Sequence, residues 1–291
     1  GYIVNKGERL ALVHQSQKRY EEALRFYNAV LRKVPEARFS AEQYDRILEI
    51  LAYNQKRLHF WEELHSTFPD AAVPALYLGR SLELQKQFDE AMNLYRQVEA
   101  LHPNNPEALL RQGFILAITE SCEKGIAMMQ QVLQNSPEIK GDFIHSLEER
   151  GRHYKNTNDL VLAEKVYRVL MYHKPENIWH QVHCAETLLA QGNFEASRQM
   201  FMEVIKHTSD MRWVAYNLEE SLRQLEDPAL WMSTWKSLYD MHPETYIPAY
   251  YYGRSLESNA ALDVALNYFH RMYEKYPDKP EIALRQGAFV A

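Results

Sequence analysis

The sequence predicts an all-α solenoid built from stacked pairs of helices, and three observations predict it. First, Pro35, Pro69, Pro103 and Pro137 stand 34 residues apart, and Pro243 and Pro277 resume that interval. Second, the same small and large side chains recur at fixed places inside each interval. Third, the chain matches itself at an offset of 174 residues. A fixed period of this length marks a supersecondary unit that cannot bury its apolar side alone and does so by stacking on its neighbours.

The first period, 4–37, carries Leu10, Ala11, Ala23, Tyr27, Val30 and Pro35. The second, 38–71, puts Arg57 where a small residue is expected. The third, 72–105, shows the pattern best: Ala75, Leu78, Gly79 and Leu82 on a first helix, Ala91, Tyr95 and Val98 on a second, then Pro103. Gly79 and Ala91 let two backbones approach, while Tyr95 and the leucines fill the seam. Pro103 ends the second helix because it has no N–H to donate. The fourth, 106–139, has Gly113, Leu116, Gly125, Met129, Val132 and Pro137. A four-residue insertion around Gly141 precedes the fifth, 144–177, with Leu147, Gly151, Tyr154, Ala163, Tyr167, Leu170 and Pro175. The sixth, 178–211, closes on Ser209 instead of proline, and the seventh, 212–245, has Glu219 and Trp231 at its two small-residue places. The eighth, 246–279, returns to the pattern with Gly253, Leu256, Ala265, Phe269, Met272 and Pro277. Residues 280–291 read as the first helix of a ninth, through Pro280, Ala283, Gly287 and Val290.

These residues resemble the tetratricopeptide repeat family over essentially the whole chain. The resemblance implies a right-handed superhelix of about eight helix pairs and one terminal helix, forming a single domain over 1–291. Solenoids normally close with a polar capping helix, so the parent protein is expected to continue past Ala291, and Gly1 reads as a cloning remnant.

The 174-residue offset is five periods plus the insertion, which points to a tandem duplication of a five-repeat block. Pro74, Ala75, Tyr77, Gly79, Arg80, Ser81, Leu82 and Glu83 recur as Pro248, Ala249, Tyr251, Gly253, Arg254, Ser255, Leu256 and Glu257. Pro106, Glu107, Leu110, Arg111, Gln112 and Gly113 recur as Pro280, Glu281, Leu284, Arg285, Gln286 and Gly287, and Trp61 as Trp235.

The resemblance further implies that first helices line a concave groove. Arg46, Arg80, Arg152 and Arg254 take its ninth place, with Glu49, Glu83 and Glu257 three residues on, within pairing distance of Arg46, Arg80 and Arg254. Glu220 and Arg223 swap the signs. Phe39, Tyr77, Trp179, Trp213, Tyr216, Tyr250 and Tyr251 lie on or beside the same face. The expected partner-binding residues are therefore Tyr77, Arg80, Glu83, Arg111, Arg152, Trp179, Trp213, Tyr216, Tyr250, Tyr251, Arg254 and Glu257. Aromatic plates with Arg suit an extended protein or peptide segment, and a polysaccharide would stack on the same rings. An Arg and a Glu three apart are equally what a solvated surface pair looks like, and Tyr77 and Tyr251 equally fit a seam between helices. The Lys and Asn clamp by which some members grip a terminal carboxylate is not met: the places hold Glu8, Leu12, Gln43, Val73 and Tyr77.

Composition narrows the function classes. Hydrophobic residues make 46% and charged residues 25% of the chain, ordinary for a globular protein, and the net charge of −6 offers no basic field for nucleic acid. No apolar run approaches the roughly 20 residues that span a bilayer. Cys122 and Cys184 fall in different repeats and predict no disulfide framework, so the compartment stays open: cytoplasmic by default, periplasmic in one alternative. His180, His183 and Cys184, with His173, form the best metal-like cluster, but Cys184 takes a packing place and a zinc site needs three or four converging ligands. No nucleophile elbow or phosphate-binding glycine loop occurs, and no cofactor is expected. The sequence thus predicts a non-catalytic interaction scaffold. Its alternatives are a periplasmic arm of an exopolysaccharide or cellulose export protein, and the substrate-recruiting region of a larger enzyme.

Overall fold

The computed structural model describes residues 2–103, 105–208, 212–258, 262–282 and 284–285. Gly1, Ser209, Ala283, Gln286, Gly287, Val290 and Ala291, each invoked above, lie outside the described residues. Among the described residues there are sixteen α-helices, one 3-10 turn and no strand. The chain divides into two compact units between Arg150 and Gly151.

The first unit holds α1 (Tyr2–Ser16), α2 (Tyr20–Leu31), α3 (Arg38–Ile50), α4 (Asn54–Thr67), α5 (Ala72–Leu84), α6 (Phe88–Leu101), α7 (Pro106–Thr119) and α8 (Cys122–Asn135). A 3-10 turn at Pro137–Ile139 leads directly into α9 (Lys140–Asn156), inside which the units divide. The second unit holds α10 (Leu160–His173), α11 (Ile178–Ala190), α12 (Phe194–His207), α13 (Arg212–Gln224), α14 (Pro228–Met241), α15 (Tyr246–Ser258) and α16 (Leu262–Lys275). The odd-numbered helices are the first members of the pairs. From α1 to α8, and again from α10 to α16, each helix packs against the next, giving a helical solenoid in each unit.

The helix ends explain the period. The residues before closing prolines, Phe68, His102, Ser136, Lys174 and His242, all leave the helical region with φ between −127° and −142°. Proline forces this, because its ring excludes the helical conformation at the residue before it. Thr208 adopts the same conformation at φ −144° with Ser209 in place of proline, so the proline is not required for it. The turns inside six of the pairs share a signature: Lys18, Ala52, Lys86, Asn158, Gly192 and Glu226 all have positive φ, between 52° and 78°. Of these, Gly192 and Asn158 are residue types that favour this region. In the fourth pair Ser121 and Asn105 instead cap α8 and α7 by accepting from the Lys124 and Ala108 amides. The insertion near Gly141 is absorbed as helix: α9 runs 17 residues where other first helices of pairs run 13 to 15.

Close approach inside the pairs is real where glycine predicted it. A Cβ on Gly79 would stand 2.5 Å from the Tyr95 ring, and one on Gly125 only 2.4 Å from the Gly113 carbonyl oxygen and the Ala117 amide nitrogen. Trp61, Tyr95, Phe114 and Tyr27 fill the seams of the first unit; Phe201, Trp235 and Phe269 fill those of the second.

Candidate functional site

The two departures from the small-residue pattern resolve into one buried device. Arg57, in place of alanine, lies buried on α4 and pairs through Nε and Nη2 with Asp45 on α3, while the Trp61 indole N–H donates to Asp45 at 2.9 Å. At the matching places of the second unit, Glu219 accepts from the Trp231 and Trp235 indoles, each at 2.9 Å. The rings then continue in step: Tyr77 stacks on Trp61 at 4.7 Å and Tyr251 on Trp235 at 4.5 Å. Arg80 lies 4.6 Å over Tyr77 and Arg254 5.6 Å over Tyr251, in reach of cation–π attraction.

The ion pairs repeat at the same offset, but they run between repeats. Arg38 pairs with Glu107 as Arg212 does with Glu281 at 3.3 Å, and Glu83 with Arg111 at 3.4 Å as Glu257 does with Arg285 at 3.1 Å. Arg80 reaches Glu107 at 2.7 Å and Arg254 reaches Glu219 at 3.5 Å. In the first unit the cluster is closed further: Glu83 also takes Arg150 at 2.9 Å and the Tyr95 hydroxyl, and Arg111 donates to Ser146 at 2.7 Å. Burial opposes the charge on Glu107, yet Arg80 and Arg38 hold its carboxyl below the ordinary value. Burial pushes the Tyr77 and Tyr95 hydroxyls upward.

This places the expected binding residues in two groups. Glu83 at 0% exposure, Arg111 at 1% and Tyr77 at 4% are sealed into the packing, because their charges and rings are consumed by neighbouring helices. They hold repeats together, and of the three only Tyr77 also lines a cleft. Arg80, Tyr250, Tyr251, Arg254 and Glu257 are partly covered, Tyr250 meeting Tyr246 at 5.6 Å and Tyr251 at 5.5 Å. Arg152, Trp179, Trp213 and Tyr216 are exposed.

Beside the buried cluster of the first unit opens a polar cleft of about 110 Å³, formed by α3, α5 and α9. Arg46, Glu42 and Glu49 of α3 face it with Asp142, His145 and Glu149 of α9, above Tyr77 and Arg80. Partial burial and the facing Glu149 push the Glu49 carboxyl up. Sequence reasoning found Arg46, Glu49 and Arg80 here but missed the α9 side chains, which reach the cleft from a hundred residues away.

In the second unit the exposed aromatics converge on an acid that the sequence reading passed over. Glu186 of α11 accepts from the Trp213 indole N–H at 2.6 Å, from Lys155, and lies 3.1 Å from His183 Nδ1. Burial opposes its charge, and the three hydrogen bonds outweigh burial and hold the carboxyl at about 2. Trp179 leans on His183 at 6.3 Å, and Tyr216 stacks on Trp213 at 6.1 Å and 21°. The only forewarning of Glu186 was its place one turn below His183, on the face that carries Trp179.

The histidine cluster has other work. Cys184 is buried and its thiol pushed up to about 12 by desolvation, and His180 lies 3.0 Å from the Asn177 side chain. Among the described residues no three His, Cys, Asp or Glu side chains converge to hold a metal ion, and no helix is long and apolar enough to cross a membrane. A hollow of about 730 Å³ opens on the other side of the second unit, where Arg168, Met171, Arg198 and Met202 stand.

Comparison with known proteins agrees with this architecture. Family models described as tetratricopeptide repeat match residues 9–37 and 72–115. Cellulose synthase operon protein C of Pseudomonas fluorescens (strain SBW25) is 28% identical over 152 residues, half of this chain, and the chain spans only 11% of that protein's length. The crystal structure of PilW, a type IV pilus biogenesis factor, covers 76% of the chain and 99% of its own length at 18% identity and a TM-score of 0.46. A tetratricopeptide repeat protein from Parabacteroides merdae covers both chains fully at 12% identity and a TM-score of 0.41. With two stretches matched to the family and helix pairs running in series through both units, the chain is a tetratricopeptide repeat protein.

Proposed function

We propose that the chain is a non-catalytic interaction scaffold that holds a segment of a partner protein against the first helices of its repeats. Tetratricopeptide repeats serve protein interaction in general, and the observation that supports a site here is the cleft of α3, α5 and α9. Its floor is already rigid, because Asp45, Arg57, Arg80 and Glu107 are paired beneath it, while Glu42, Arg46 and Glu49 remain at the exposed rim. Fixed charge of both signs selects a partner by complementarity and register more than by raw affinity. A photo-reactive residue at position 42 or 46 is expected to cross-link one partner chain in cells, and the same residue at Glu203, on α12, is not. Cross-linking from Glu203 with none from 42 or 46 would contradict the reading.

A second reading, an arm of an exopolysaccharide or cellulose export protein, has support in the likeness to cellulose synthase operon protein C. A secretion signal and a β-barrel in the full-length gene would favour it over the first.

A further inference from the structure

The second unit carries an exposed surface that the packing does not explain. Trp179, Trp213 and Tyr216 are 49%, 56% and 54% exposed, a large apolar area to leave in water on two neighbouring first helices. Trp213 is tied at its ring edge, and each of the three rings keeps about half of its surface in water. The Trp213 indole N–H donates to Glu186, which favours one orientation of the ring. Tyr216 runs nearly parallel to it at 21°, and Trp179 is braced on His183. Between the plates lies a polar centre whose charge is already balanced, since Lys155 faces Glu186. An ionised carboxylate has about four acceptor positions, and Trp213, Lys155 and His183 occupy three of them.

We propose that Trp179, Trp213 and Tyr216, with Glu186 between them, form a binding platform for a neutral hexopyranose chain. The ligand must offer flat apolar faces to open rings and a neutral hydrogen-bond donor to the last acceptor position of Glu186. A pyranose unit does both at once, with its axial C–H face on a ring and its hydroxyls at the rim. Other chemistries fit less well. An ammonium ligand needs rings that converge into a cage, and parallel plates do not enclose it. A polyproline segment would stack but has no N–H to give to Glu186. An anionic chain would meet a carboxylate and a lysine already paired. The site does not depend on the charged cleft of the first unit and stands or fails separately from it.

The test is calorimetric titration of the whole chain with cellohexaose and with chitohexaose, followed by tryptophan fluorescence. Saturable binding of at least one oligosaccharide is expected, weakened tenfold or more by Trp213→Ala and by Tyr216→Ala, and changed less than twofold by Lys33→Glu, exposed on the first unit. Trp179→Phe keeps a ring in place, so it should bind nearly as the parent does while Trp179→Ala does not, which separates stacking from loss of fold. Circular dichroism and melting of each variant confirm that the helices persist. No saturable binding of either oligosaccharide would overturn the proposal. So would binding that survives the ring deletions, or a decaproline peptide binding in place of the sugars.

Discussion

The two halves of the duplication agree inside and disagree outside. Asp45, Trp61, Tyr77, Arg80 and Glu107 find their counterparts in Glu219, Trp235, Tyr251, Arg254 and Glu281; the stacks are preserved, while Arg80 pairs with Glu107 and Arg254 with Glu219, the counterpart of Asp45. On the exposed face the copies have separated: Tyr216 stands where the first copy has Glu42, Trp179 where it has Asn5, and Glu186 where it has Leu12. A side chain locked into a seam changes only together with its partner, as Arg57 and Asp45 give way to Trp231 and Glu219, whereas an exposed position can change chemistry at little cost in stability. The buried residues therefore record how the solenoid is held, and the divergent ones record what each unit meets.

The largest expected asymmetry lies at the paired acids. Asp45→Ala leaves the Arg57 guanidinium buried without a counter-charge and should cost about 3–5 kcal/mol. Glu219→Ala strands two indole N–H groups but leaves Arg254 partly in water, and about 1–3 kcal/mol is expected. Urea unfolding of the two variants measures both, and equal losses would break the comparison.

A second asymmetry follows from the glycines. Gly79→Leu drives a side chain into Tyr95, whose hydroxyl is held by Glu83, whereas Gly253→Leu meets Phe269, which has no hydroxyl to hold it. Overpacking costs of about 1–3 kcal/mol are expected, with Gly79→Leu at the upper end and Gly253→Leu at the lower. Melting temperatures in the reverse order would argue against a fixed Tyr95.

Acid titration should move the contributions of Glu186 and Glu49 in opposite directions. Glu186 is held at about 2, so its contribution is present in full above the ordinary value of 4.5 and is lost as pH falls toward 2. Glu49 is raised, so the folded state gains relative stability as it takes up a proton on the way down. Glu186→Gln should be less stable than the parent at pH 7 with the gap closing toward pH 3, and Glu49→Gln at least as stable as the parent at pH 7. Urea midpoints across that range report the two slopes, and variants that track the parent at every pH would remove both assignments.

The smallest effect belongs to the turns. Ala52 holds a left-handed conformation at φ 55°, so Ala52→Gly exchanges strain of about 1–2 kcal/mol against a backbone entropy of about 0.5–1 kcal/mol. A net gain below about 1 kcal/mol is expected, with no gain from Gly192→Ala at the matching turn.

Helix pairing was legible because proline, glycine and alanine act locally: Pro103, Gly79 and Ala91 each state a conformation or a distance within their own hairpin. The left-handed turns were not, since Lys18, Ala52, Lys86 and Glu226 are residue types with no turn signature and the neighbouring helices impose the conformation. The expected site was half legible. Spacing along one helix suggested that Arg80 could pair with Glu83, but the packing sends Arg80 to Glu107 and Glu83 to Arg111 and Arg150, because partners in adjacent repeats are as near as those one turn away. The compensation of Arg57 by Asp45 and of Trp231 by Glu219 was visible in principle, each pair being twelve residues apart at the same places of the period.

The central distinction, between side chains that hold the solenoid and side chains that face a ligand, is tested most directly on two tryptophans of one helix pair. Trp235 of α14 is wholly buried and Trp213 of α13 is mostly exposed. Urea unfolding of Trp235→Ala should show a loss of about 3–5 kcal/mol and that of Trp213→Ala less than about 1 kcal/mol. A loss for Trp213→Ala as large as that for Trp235→Ala would make the exposed ring a structural member, and the account of a divergent binding face would be wrong.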